Sequence, residues 1–189
     1  LAREASGDVW VGTSRGISLV SFHPPPSMPA ATLTTRIRVL GREATVFTFE
    51  GLPRETIYST RSIRVPNGAE TVELRCFTGS GGVRCIATDE WIHLSRSAGI
   101  RTAAFDVELD DLGYLWVATP DAGLYRSHQA LTLNELRASS ALESAPDSDG
   151  IEPLFVRIDD RSERPTRSVR ALTRAGNRMY AGVAGGPIT

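Results

Sequence analysis

The sequence predicts an all-β chain: a partial β-propeller of three to four four-stranded antiparallel blades. Three observations predict it. Short β-branched and aromatic runs alternate with clusters of Gly, Pro, Asp and Asn, and no long segment holds a 3.6-residue apolar period. One Gly–Trp–Thr–Gly spacing recurs along the chain. The interval between two copies is that of one blade.

The repeat is clearest in two places. Gly7-Asp8-Val9-Trp10-Val11-Gly12-Thr13 is followed by Gly16-Ile17, and Gly113-Tyr114-Leu115-Trp116-Val117-Ala118-Thr119 by Gly123-Leu124. A weaker copy, Gly176 to Val183, carries Tyr180 in place of Trp. A fourth, Glu73 to Thr78 with Gly82-Val83, has no Trp. Aligning positions 13, 78, 119 and 183 gives a shortest interval of 41 residues, one bare blade. The longer intervals imply insertions, near 24–44 and 137–166 of a single unit spanning 1–189.

Each part of the repeat has a physical task. The first Gly turns the inner strand into the next one, and the Gly after Thr turns the chain again. The Trp is a large apolar plate between neighbouring blade sheets, so Trp10 and Trp116 are read as packing and not as a site. Inner strands are expected at Ile57 to Val65, Ala103 to Leu109 and Ser168 to Thr173. Outer strands are expected at Thr45 to Glu50 and Glu90 to Leu94. Residues 24–44 contain the strand-like run Arg36 to Leu40 after Pro24-Pro25-Pro26. The best helical candidate, Leu131 to Leu142, fits its period loosely.

Composition excludes several chemistries. Net charge is −1, which gives no general affinity for nucleic acid or an anionic membrane. All 21 basic residues are arginine. A Walker-A lysine, a Ser-x-x-Lys pair and a Schiff-base site are therefore absent from these residues. No apolar run approaches the roughly 20 residues of a membrane span. The chain begins without Met and shows no signal peptide, so we expect it to be a piece of a longer protein.

Candidate chemical groups are scattered. His23, His93 and His128 stand alone, without zinc-site spacing. The pairs Asp89-Glu90, Asp110-Asp111 and Asp159-Asp160 are neighbours on strands or turns, where they solvate and cannot form a dyad. Asp147 to Gly150 lacks calcium-loop spacing. Gly79-Ser80-Gly81-Gly82 reads as a tight hairpin turn and not a phosphate cradle. With Ser80 and Gly81 at its centre, Thr78 faces Val83 and Cys76 faces Cys85. The cysteines are then two buried thiols or a disulfide, and we favour the thiols. From Arg157 to Arg178 seven arginines meet three acids. A solvated face is preferred there over an anion site.

Two stretches match a known pattern best: Gly51-Leu52-Pro53 with Ile57-Tyr58-Ser59, and Leu109 to Thr119. These residues resemble the two-component regulator propeller repeat, found in the sensor regions of bacterial hybrid histidine kinases and related signalling proteins. The resemblance touches most of the chain outside 24–44 and 137–166. It implies a non-catalytic, extracytoplasmic ligand-sensing segment, periplasmic or extracellular. The output, a kinase or diguanylate cyclase, would lie beyond a transmembrane segment outside these residues. A small-molecule or glycan ligand is implied, with further blades of the same protein and a homodimer as partners. No catalytic residue, metal ligand, cofactor or nucleic acid is expected, and no ligand-binding residue is named. The alternatives are a propeller-fold enzyme similar to streptogramin lyase, and a protein-interaction scaffold.

Overall fold

The computed structural model describes residues 2–3, 6–14, 16–23, 33–49, 55–142, 153–158 and 168–184. Its strands form four antiparallel sheets in chain order. The first contains β1 (Ala2–Arg3), β2 (Val9–Thr13), β3 (Gly16–Ser21), β4 (Leu33–Val39) and β5 (Arg42–Thr48). The second is β6 (Ile57–Asn67), β7 (Glu70–Gly79), β8 (Gly82–Ala87) and β9 (Glu90–Leu94), joined in sequence order. The third is β10 (Asp106–Leu109), β11 (Leu115–Thr119), β12 (Gly123–Ser127) and β13 (Phe155–Ile158). The fourth is the pair β14 (Val169–Ala175) and β15 (Arg178–Val183). A helix, α1 (Leu133–Leu142), interrupts the third sheet between β12 and β13.

This is an all-β propeller arc. Strands β6, β10 and β14 are the first strands of their sheets, as expected, and β10 touches both of the others. Each sheet therefore stacks on the next near its inner edge. Gly16, Gly82 and Gly123 all take positive φ where the second strand turns into the third. At Gly82 an added Cβ would also lie 2.6 Å from the Leu94 carbonyl, so nothing larger fits.

Three cores join the sheets. Between the first and second, Trp10 stacks on Phe49 and meets Phe77 edge-on, while Trp91 closes the cluster against Phe49 and Phe77. Between the second and third lies the largest core, with Leu74, Ile92, Val107, Val117 and Leu136 all buried. Between the third and fourth, Trp116 packs with Ala118, Val169, Leu172 and Met179. Both tryptophans are inter-sheet plates. Tyr180 sits on the face of β15 opposite Met179 and Ala181, the side turned away from the third sheet.

The structure corrects three expectations. Cys76 and Cys85 are bridged, not free: they are cross-strand partners with Cα atoms 4.0 Å apart, and both are fully buried. The outermost strand of the first sheet is β4 and not the run from Thr45, because β3 pairs directly with β5 and β4 adds outside it. The 24–44 insertion thus supplies a fifth strand. The third correction concerns register. The last pair before the turn is Thr13–Gly16 in the first sheet and Gly79–Gly82 in the second, so Gly79, not Thr78, matches Thr13. A one-residue slip reverses every side chain. Cys76 then occupies the place of Trp10 and Trp116, and Phe77 points the other way, onto Trp10.

The helical candidate at Leu131 to Leu142 is the helix α1, and its first turn is capped. Thr132 Oγ1 accepts the Glu135 N–H at 3.4 Å, and the Thr132 N–H donates to the Glu135 carboxylate at 2.7 Å. This is a capping box, and Thr132-Leu133-Asn134-Glu135 is its sequence signature. Leu133 and Leu136 anchor the helix in the central core, and Arg137 pairs with Glu90 of β9. Gly51-Leu52-Pro53, Asp147 to Gly150, Asp159-Asp160 and Arg161, Arg164 and Arg167 lie outside the described residues.

Candidate functional site

The inner strands converge on one carboxylate. Asp106, at the start of β10, is buried, and it accepts five hydrogen bonds. Ser59 Oγ and Arg61 Nε donate to Oδ1 at 2.9 and 3.0 Å, and the Val107 N–H donates to the same oxygen at 3.0 Å. Arg61 Nη2 and the Leu172 N–H donate to Oδ2 at 2.8 and 2.9 Å. Arg61 Nη2 also donates to the Leu172 carbonyl at 2.9 Å. One side chain of the third sheet thus ties β6 of the second sheet to β14 of the fourth.

Strand geometry places these groups. Ser59 and Arg61 are two apart on β6 and share a face, which turns their donors to the same oxygen. The fork of Arg61 matches both oxygens of the carboxylate. Burial pushes the Asp106 carboxyl upward. The Arg61 hydrogen bond, the Leu172 N–H, the charge of Arg61 and the Ser59 hydroxyl outweigh that and hold it below the usual carboxylate range. The hydrogen bond to Asp106 leads the forces that raise Arg61, against its own partial burial.

Beside this tie a cleft of about 560 Å³ opens between the far ends of β6, β10 and β14. Its charged lining is two guanidiniums, Arg64 and Arg174, and four carboxylates, Glu73, Glu108, Asp110 and Asp111. Asp110 is occupied with structure. Its Oδ1 accepts the N–H groups of Leu112 and Tyr114, each at 2.9 Å, and its Oδ2 accepts the Trp116 indole N–H at 2.8 Å. Asp111 pairs with Arg174 across the third and fourth sheets. Arg64 and Glu73 face one another at 3.7 Å with well-exposed side chains, an ion pair that water screens. Glu108, two residues along β10 from Asp106, contributes to the field on Arg61.

The candidate residues named from the sequence do not converge here. His23 lies by the first sheet's outer strands. His93 Nε2 contacts the Gly81 carbonyl at 3.0 Å, and His128 Nδ1 contacts the Pro153 carbonyl at 3.1 Å. Among the described residues no three His, Cys, Asp or Glu side chains group as a metal site. The Asp110-Asp111 pair is divided between a turn and an ion pair. Of the arginine-rich segment, Arg174 reaches Asp111 and Arg170 lies over the Phe105 ring, 4.5 Å from its centroid. Sequence reasoning missed Asp106 altogether. Its partners from other sheets, Ser59, Arg61 and Leu172, are 45 to 66 residues away, and no local pattern announces them.

No protein-family model, curated protein or solved structure matches this chain. The cleft offers paired cations and carboxylates at an open mouth, beside a tie through three sheets. Such a lining suits a ligand carrying both charges, because each would meet an opposite partner.

Proposed function

We propose that this chain is a non-catalytic, ligand-sensing propeller segment of an exported bacterial signalling protein. In this reading a ligand in the cleft alters how the sheets pack at the Asp106 tie. The change passes to a kinase or cyclase output elsewhere in the protein. The observation that carries the reading is the adjacency of cleft and tie. Glu108 lines the one and lies two residues from the other, so occupancy and sheet packing share a strand. Two further features support it. The Gly-turn and Trp residues that resemble the regulator repeat are engaged in holding sheets together. The buried Cys76–Cys85 bridge suits an oxidising compartment.

The test uses thermal shift with free amino acids, which carry both charges, and neutral oligosaccharides as probes. A sensor shows a saturable rise in Tm with one of these and no turnover of it. Arg64→Ala and Glu108→Gln then remove the shift and leave the unliganded Tm within a few degrees. Consumption of a probe would replace the sensor with the propeller-enzyme reading. No shift from any probe would leave the scaffold reading. The bridge is checked separately by thiol counting on protein taken directly from cells. Two reactive thiols under non-reducing denaturation would argue against export.

A further inference from the structure

The first sheet carries an edge that no other strand among the described residues pairs with. Strand β4 lies outermost, and its outer N–H and C=O groups have no strand partner among the described residues. Within β5 only Thr45 to Thr48 pair with β3, so the ribbon of Ile37–Val39 with Arg42–Ala44 extends beyond it. The tip is Leu40-Gly41. Leu40 is 100% exposed, and its φ of 48° lies in the left-handed region that branched apolar residues avoid. Where β3 ends, Arg36, Phe22 and His23 line a groove of about 340 Å³ beside the ribbon.

We infer that the outer edge of β4 docks an acidic, extended segment of a partner polypeptide, which adds to the sheet as a further strand. The edge is built for pairing. It runs seven residues in unbroken register with β5, without a proline or a bulge. Edges that refuse partners are short, bulged, interrupted by proline or charged, and of these β4 has only charge, Arg36 and Arg38, which opposes basic strands and offers acidic ones a partner. Arg36 and Arg38 lie two apart on one face, with Cα atoms roughly 7 Å apart along the strand, and Glu43 of β5 stands across from Arg38. A pairing strand with carboxylates two residues apart meets both of them. The same arginines turn away basic strands, which makes the edge selective for charge.

Two other occupants fit less well. A second copy pairing antiparallel about Arg36 or Ile37 would set arginine against arginine. An anionic membrane would meet the arginines but leave the open edge unsatisfied, and unpaired strand edges do not enter hydrocarbon. This surface is on a different sheet from the cleft, so the sensor reading and the docking edge fail independently.

Fluorescence polarisation of labelled heptapeptides tests the proposal on the whole chain. A peptide of alternating glutamate and valine is expected to bind saturably, and its lysine–valine counterpart is not. Methylating the backbone nitrogens of the glutamates, which stand opposite Arg36 and Arg38, should weaken binding at least tenfold, because it removes the donors that an antiparallel strand offers to the outer carbonyls of β4. The double variant Arg36→Glu, Arg38→Glu should lose the glutamate peptide at least tenfold and gain the lysine peptide. Equal binding of the methylated peptide would overturn the strand mode and leave only charge attraction. Binding to phosphatidylserine vesicles with none to the peptide would assign the edge to a membrane instead. Unchanged binding by the double variant would remove β4 from the interface.

Discussion

The junction between the first and second sheets and the junction between the third and fourth solve one problem in two ways. The first is a block of aromatic rings, with Trp10, Phe49, Phe77 and Trp91 in mutual contact. The second has a smaller apolar core around Trp116 and Leu172, and adds the Asp106 tie. Ring packing is non-directional and independent of pH, whereas a buried carboxylate with five donors fixes position and depends on its charge. The aromatic junction gives cohesion. The polar junction gives register, and it is the one whose strength depends on a titrating group.

The largest expected effect is on the aromatic side. Trp10→Ala removes the ring that stacks on Phe49 and should cost about 3–5 kcal/mol, read as a lowered denaturant midpoint. The loss should be the same at pH 4 and pH 7. A strong pH dependence would mean that the first junction also relies on charge.

Next comes Asp106→Asn, expected to cost about 2–4 kcal/mol at pH 7, since it leaves the Arg61 guanidinium without its carboxylate. The side chain of Arg61 is 38% exposed, and solvent screening keeps the figure below that of a fully buried pair. The sign with pH follows from the lowered carboxyl. The Asp106 contribution is fully present above the unfolded-state value of about 3.9 and is lost as pH falls through the lower folded value. Wild type should therefore lose more stability than Asp106→Asn between pH 5 and pH 2. Parallel denaturation profiles for the two proteins would sink the claim.

The smallest change sharpens the contrast by asking how much polar bonding adds to a plate. Trp116→Phe keeps an aromatic ring but removes the indole N–H held by Asp110, and should cost about 1 kcal/mol beyond the lost ring area. A double-mutant cycle with Asp110→Ala separates the two contributions, and a coupling of about 1 kcal/mol is expected. Zero coupling would show that the Asp110 bond contributes nothing net, and that the Trp116 plate holds by packing alone.

Much of this architecture was legible because it is local. Gly turns three residues before Trp10 and Trp116 marked the strand pairs, and a two-residue turn at Ser80-Gly81 set Cys76 opposite Cys85. What escaped depends on distance or on a subtle offset. Thr78 looks like Thr13 and Thr119 in the letters, yet it stands one residue out of phase, and only the pairing reveals it. The β4 strand was visible as a run, but nothing in its residues says that it lies outside β5. Asp106 reads as an ordinary strand residue, because its donors Ser59, Arg61 and Leu172 come from other sheets. The open cleft was equally silent, since Glu73, Glu108 and Asp111 meet only when the inner strands align.

The Cys76–Cys85 bridge lies wholly within one hairpin and crosses no junction between sheets. Among the described residues, every contact between blades is therefore non-covalent. Under tension applied at the two ends of the chain, blades can part from one another while the hairpin of β7 and β8 stays closed. The oxidised chain withholds the nine-residue span between the sulfurs from extension, roughly 30 Å of contour. Reduction would return that length to a pulling trace as a discrete gain.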